Sequence, residues 1–390
     1  MMRKIFASAL LTLCIALPIS AGTFDQSMTM LRIMEQSDLE YKTELLENAF
    51  DSSDRIAGAY ASGKLKETMD GKYADQSEEA VDAFKNVLIY RLGETNSNEN
   101  AEIIFTIFKE SDNNQLIRTS AEALGKIGAV QYSDSIIELL EDSNTKQYFY
   151  ITNGYENMLK ENEETAWSCV VALERLHSKS YYEPLFYTRM SDYSKESGVQ
   201  DRAAKAMAVI VRNPTSVLKD ISDREHSSKG RTLILDISRK SNALEVQKVD
   251  LAAYIFTQTI VNDYEFGDYM LNACATIEKS PYKVRGTEEA IKKILYGSYN
   301  PTFTNLAIKA APHCQNGVKV LTEYLREQNN YTREGATKYE NHKTVLMVIN
   351  SLGNSGDANA ADQLIVAKNA GWPLEIKQAA DTALNNLLAK

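Results

Sequence analysis

Catalysis needs groups of matched pKa held within reach of one another, so the residues that could do chemistry come first. The chain has four histidines, His177, His226, His313 and His342. His313-Cys314 is the one adjacent His/Cys pair, and a metal there would need two further ligands at suitable spacing. The sequence holds no H-E-x-x-H, C-x-x-C or G-x-S-x-G pattern and no phosphate-binding glycine loop. Gly353-Asn354-Ser355-Gly356 has the outline of a nucleophile turn, but its place in a repeated register reads it as a helix end. Met28, Met30 and Met34 have the softness of a metal or groove site and read better as a helix packing on its neighbour. His177 falls at the end of a helical stretch, where a cation interacts well with the helix dipole. These patterns give no catalytic residue, no metal site and no cofactor.

Aromatic residues are the remaining chemistry. Tyr occurs 21 times. Tyr148, Phe149 and Tyr150 lie in a stretch that makes one repeat longer than the repeat before it, and Tyr181 and Tyr182 follow just downstream. Aromatic side chains bury much area for little lost entropy, which favours them in binding patches. These five residues are therefore the candidates for holding a partner. The competing reading is that they fill the space opened by the extra length.

The elements that must position them are helices. Hydrophobic residues make up 44% of the chain and charged residues 25%, as in an ordinary folded protein. With 18 Gly and 7 Pro in 390 residues, turn-formers are too few for an all-β sandwich. The N-terminus reads as a secretory signal: Arg3 and Lys4, an apolar run from Ile5 to Leu17, Pro18, and Ile19-Ser20-Ala21 as the cleavage site. The expected mature chain starts at Gly22 and is exported, to the periplasm in a bacterial-type envelope, with secretion or surface association as the alternatives. Its net charge is −12, from 41 Lys and Arg against 53 Asp and Glu. Such a surface argues against general nucleic-acid binding, which needs cations to neutralise phosphates. No later stretch is apolar enough to span a membrane. Cys169, Cys274 and Cys314 remain after cleavage, an odd number. Cys274 and Cys314 have the sequence spacing of neighbouring repeat helices. A disulfide and three buried thiols both stay open.

A repeat runs through the chain. In Leu116 to Gly128, Ile117, Ala121, Leu124 and Ile127 mark one helical face, and Gly125 and Gly128 fall where that helix is expected to end. A second helix follows, with Ile136, Ile137, Leu139 and Leu140 as its apolar face. The unit recurs near the C-terminus, where Val345, Ile349 and Leu352 overlay Ile117, Ala121 and Leu124, and Gly353 and Gly356 overlay the two glycines. Leu92-Gly93 is a further copy, upstream of Leu124-Gly125. Ala166, Val170, Leu173 and Leu176 repeat the face downstream, and Ala204, Met207 and Ile210 repeat most of it again. Ile376, Ala380, Ala383 and Leu387 give a last amphipathic face. Repeats of about 30–50 residues suit stacked helical hairpins.

Arg118 to Gly128, with its A-x-A-L-G-x-x-G core, resembles the HEAT repeat, especially the short HEAT-like repeats of the phycobilisome-lyase type. The copies at 346–366 and 372–389 are similar to it, and together the resemblance covers about a third of the chain. It implies an all-α fold, an α-solenoid of stacked HEAT-like helical hairpins, and a function in binding proteins; it implies no lyase activity. The expected organisation is a signal peptide over 1–21, an N-terminal helical cap over 22–80, HEAT-like repeats over 81–211, degenerate helical repeats over 212–340 and C-terminal HEAT-like repeats over 341–390. Positions on the exposed face, Arg118, Trp167, Asp201 and Leu346, or Glu122, Val171, Lys205 and Asn350, share no residue type. A repetitive ligand such as a polysaccharide or nucleic acid would favour a shared type, so a protein partner fits better. The expected function is a non-catalytic scaffold or adaptor. The alternative is a chaperone-like accessory factor that captures a small or extended ligand at the aromatic stretch.

Overall fold

The computed structural model describes residues 24–51, 53–336 and 341–388. The expected signal peptide, residues 1–21, lies outside the described residues. Those described form twenty α-helices joined by short turns and 3-10 segments, with no strand among them. One isolated parallel bridge joins Val284 to Cys314. The chain divides into two compact units after Ile210.

The first unit contains α1 (Phe24–Glu35), α2 (Leu39–Asn48), α3 (Arg55–Met69), α4 (Glu78–Glu94), α5 (Ala101–Glu110), α6 (Asn114–Ile127), α7 (Ser133–Asn153), α8 (Glu156–Leu176), α9 (Tyr182–Met190) and α10 (Val199–Ile210). Helices α4, α6, α8 and α10 form one row, each packed on the next, while α5, α7 and α9 pair with α6, α8 and α10 as hairpin partners. Polar side chains set several of the helix starts. Asp54 accepts from the backbone N–H of Ile56 and Ala57, and Asn113 from Gln115 and Leu116, meeting donors that the first helical turn leaves unpaired.

The helix ends repeat even where the residue does not. Gly128 closes α6 in the left-handed conformation with φ 77°, and Gly356 occupies the same place in the C-terminal copy with φ 69°. Asn96 and His177 hold the equivalent places in the copies before and after Gly128, and adopt φ 56° and 54° at the ends of α4 and α8. After two of these caps the same bond returns from the following residue: Ser97 N donates to Leu92 O at 3.1 Å, and Ala129 N to Leu124 O at 3.0 Å. The cap position is thus fixed by the hairpin geometry, and only some copies fill it with the residue that tolerates it best.

Gly125 and Gly353 do not end their helices, as the sequence led one to expect; they lie inside them. Their role is close approach. A Cβ on Gly125 would stand 2.7 Å from Ala172 Cα, one on Gly353 2.6 Å from Ala383 Cα, and one on Gly93 3.0 Å from Ala123 Cα. The A-x-A-L-G motif therefore supplies both halves of a helix crossing, since Ala123 meets the glycine of the preceding copy. Leu92, Leu124 and Leu352 are fully buried beside these crossings, as are Ile104, Ile136 and Leu140. Ile117, Ile137 and Leu139 are only half-buried, because Leu116 turns inward in place of Ile117.

The second unit runs from α11 (Thr215–Ser222) through α12 (Ser228–Lys240), α13 (Glu245–Val261), α14 (Tyr269–Glu278), α15 (Glu288–Tyr296), α16 (Pro301–Ala310), α17 (Gly317–Arg333), α18 (His342–Ser355) and α19 (Ala361–Asn369) to α20 (Leu374–Leu388). Two rows are again formed, α12-α14-α16-α18-α20 and α11-α13-α15-α17-α19. The prolines mark boundaries: Pro214 precedes α11, Pro301 opens α16 with Asn300 as its cap, and Pro312 sits in the 3-10 turn after α16.

Candidate partner-binding surface

The lengthened repeat is a longer hairpin. Helices α7 and α8 have 21 residues each, against 10 and 14 for α5 and α6. Gly154 joins them with φ 70°, and Tyr155 N donates to Tyr150 O at 3.1 Å, a tight closure of α7. The whole turn from Ile151 to Met158 is exposed.

A buried polar network fixes this hairpin at its base. The Glu163 carboxylate accepts from Gln147 Nε2 at 3.0 Å and from Ser194 N and Oγ at 2.8 Å each. Asn162 Nδ2 donates to Ser143 O at 2.9 Å and Gln147 Oε1 at 3.0 Å. Tyr193 donates to Asn144 Oδ1 at 2.8 Å, and Asn144 Nδ2 donates to Thr188 Oγ1 at 3.1 Å. Burial raises the Tyr193 phenol well above its ordinary range, so it stays a donor. The loop between α9 and α10 is thereby clamped to α7 and α8, and the tip is held on a rigid stem.

The five aromatic candidates separate into two groups. Tyr148 is 67% exposed and Phe149 53%, while Tyr150 is half-buried. Their cluster gains Tyr155 from across the turn. Phe149 lies 5.9 Å from both Tyr150 and Tyr155, centroid to centroid, and Tyr150 lies 6.4 Å from Tyr155. Ile151 and Met158 extend the exposed apolar surface. Tyr181 and Tyr182 are elsewhere: both are buried, Tyr182 to 1% exposure. They open α9, which packs on α7 and α10, so they fill the core and offer nothing to a partner.

Sequence reasoning missed Tyr155 and Met158 because they lie across a turn from Tyr148, at the start of the next helix. The signal was available in Asn153-Gly154, a pair that suits a reversal of direction. Val171, expected on the exposed face, is 2% exposed. Ser168 on the same helix is buried as well, and donates to Glu122 Oε1 at 3.1 Å.

A second surface follows the row α4-α6-α8-α10. Lys126 pairs with Glu94, Arg118 with Glu164 and Arg202 with Glu174 from helix to helix. Trp167 is 37% exposed, with the Arg202 guanidinium 5.7 Å from its ring, in an open groove of about 650 Å³ that Arg118, Glu122 and Lys160 also line. Arg118 and Glu164 are paired there, and Glu122 accepts from Ser168, leaving a mixed polar surface.

Histidine and cysteine chemistry does not converge. His313 Nδ1 lies 3.2 Å from Ser280 O, His226 stacks on Tyr264, and His342 stands edge-on to Trp372. Among the described residues no group of three His, Cys, Asp or Glu is placed to hold a metal. Cys169, Cys274 and Cys314 are free and buried, so Cys274 and Cys314 form no disulfide in this structure. No helix among the described residues is long and apolar enough to cross a membrane. A scan of the chain against protein-family models finds no match, and a search of curated proteins finds none.

Proposed function

We propose that this chain is an exported, non-catalytic adaptor, a HEAT-like α-solenoid that binds another protein and grips it through the tip of the α7–α8 hairpin. The observation that carries the reading is the tip itself: Tyr148, Phe149, Tyr155 and Met158 exposed together on a hairpin whose base is locked. Scattered exposed apolar residues need no explanation, but a contiguous aromatic cluster marks an interaction site. The solenoid reading draws on the helix rows within each unit, the recurring left-handed caps and the Gly–Ala crossings. Export rests on Arg3, Lys4 and the apolar run that follows.

Photo-crosslinking in the native cell tests this. With p-benzoylphenylalanine at position 148, one discrete protein adduct is expected. The same substitution at exposed Leu374, in the second unit, should not give that adduct. No adduct at 148, or the same one at both positions, counts against the proposal. A small molecule that co-purifies with the chain and is lost on changing Tyr148 would favour ligand capture instead.

A further inference from the structure

The tip is neutral and the stem that carries it is not. From Gln147 to Tyr155 the chain has no charged residue. Along the two helices, from Ser133 to Leu176, nine carboxylates stand against three cations, and two of the nine, Glu164 and Glu174, are paired with Arg118 and Arg202 of the neighbouring helices. One of the three cations, Lys146, is 2.5 Å from the Asp142 carboxylate. Glu156 directly follows the aromatic turn and is exposed; Glu141, also exposed, lies two turns of α7 below Tyr148. At a rise of about 1.5 Å per residue that is roughly 10 Å, close to the screening length of about 8 Å at physiological salt. An apolar face broad enough to cover the aromatic tip therefore brings its rim within the field of these carboxylates.

We infer that the partner's docking site is an apolar face bordered by Lys or Arg. The inference rests on the docking reading above and adds the partner's chemistry. An acidic rim would set like charges against Glu156 and Glu141, which suppresses binding, whereas a cationic rim steers the approach and fixes the register. The same field decides against two other occupants. An anionic bilayer attracts juxtamembrane Lys and Arg, and this stem is acidic. A second copy meeting tip to tip would bring two such stems together.

Two synthetic amphipathic helical peptides test this against the full mature chain, read by fluorescence anisotropy. One has a Leu face bordered by Lys; in the other, Glu replaces every Lys. The Leu/Lys peptide should bind, and the Leu/Glu peptide should bind at least about tenfold more weakly. Tyr148→Ser, Phe149→Ser and Tyr155→Ser together should weaken Leu/Lys binding at least tenfold, with unchanged circular dichroism. Glu141→Lys with Glu156→Lys should weaken Leu/Lys binding and improve Leu/Glu binding. Equal binding of both peptides, lost in the Ser variant, leaves the docking reading standing and overturns the cationic rim. Leu/Lys binding that ignores the Ser variant overturns both. Tip-dependent binding to phosphatidylcholine vesicles, or a tip-dependent dimer in sedimentation, assigns the tip to those occupants and overturns the inference.

Discussion

Replacing Gly by Ala should have opposite effects at two helical positions of the first unit. In α6, a Cβ on Gly125 would lie 2.7 Å from Ala172 Cα and 3.0 Å from the Ala172 carbonyl oxygen. Non-bonded carbons rest about 3.5–4.0 Å apart, so the overlap is about 1 Å, and it is with backbone that cannot rotate away. Relief requires α6 and α8 to separate, and because the clash is with backbone the cost falls at the upper end of the range for overpacking, about 2–3 kcal/mol. The gain in helix propensity from Gly to Ala returns about 1 kcal/mol, leaving a net loss of about 1–2 kcal/mol. In α3, Gly63 is exposed and an added Cβ meets nothing within 4 Å. There only the propensity term acts, a gain of about 0.5–1 kcal/mol. At about 2–4 °C per kcal/mol, Gly125→Ala should lower the melting temperature by about 2–8 °C and Gly63→Ala should raise it by about 1–4 °C. Thermal denaturation followed by circular dichroism reads both. With two compact units, both shifts should appear in the same transition. A neutral or stabilising Gly125→Ala would refute the close crossing and with it the repeat register built on Gly93, Gly125 and Gly353.

Three further outcomes follow. His177→Gly relieves a non-glycine residue at φ 54° and should stabilise by about 1 kcal/mol, measured by urea denaturation. Arg91 is 2% exposed and donates to the carbonyls of Leu46, Glu47, Phe50 and Asp51 at 2.8–3.0 Å, closing the end of α2. Arg91→Met strips four acceptors of their donor and should destabilise by about 3–5 kcal/mol on the same scale, with α2 the first segment to lose hydrogen-exchange protection. Burial pushes the thiols of Cys169 and Cys274 up to about 12 and that of Cys314 up to about 11, so at pH 8 the thiolate fraction is negligible. A thiol reagent should find no reactive cysteine in folded protein of residues 22–390 and three after denaturation; one after denaturation would mean Cys274 and Cys314 are joined.

Where the sequence was informative, the reason is local. Helical periodicity and the capping glycine at Gly128 are encoded within a short stretch of chain, so α6 was legible almost to its ends. The copy at 345–356 was legible for the same reason. Asn96 and His177 take the same left-handed cap with no glycine to announce it, and only the alignment of their copies with Gly128 leads to them. Gly125 was misplaced because a glycine near a helix end suits both a cap and a crossing, and only the neighbouring helix distinguishes them. The site shows the same divide. Tyr148 and Phe149 stood out by composition, but Tyr181 and Tyr182, equally aromatic, are core. Exposure depends on which helix faces which, and no local pattern contains that. The paired charges across α4, α6, α8 and α10 were likewise invisible, since each side chain finds its partner in a different repeat.

The central claim, that the hairpin tip is the gripping surface, is tested most directly by one affinity ratio. The protein crosslinked through position 148 would be purified and titrated against the unsubstituted chain and against Tyr148→Ser/Phe149→Ser/Tyr155→Ser, with both melting temperatures recorded. These side chains are 67%, 53% and 46% exposed, so stability should hardly move. The account predicts a dissociation constant at least about tenfold weaker in the variant, the equivalent of about 1.4 kcal/mol. An unchanged dissociation constant would contradict it.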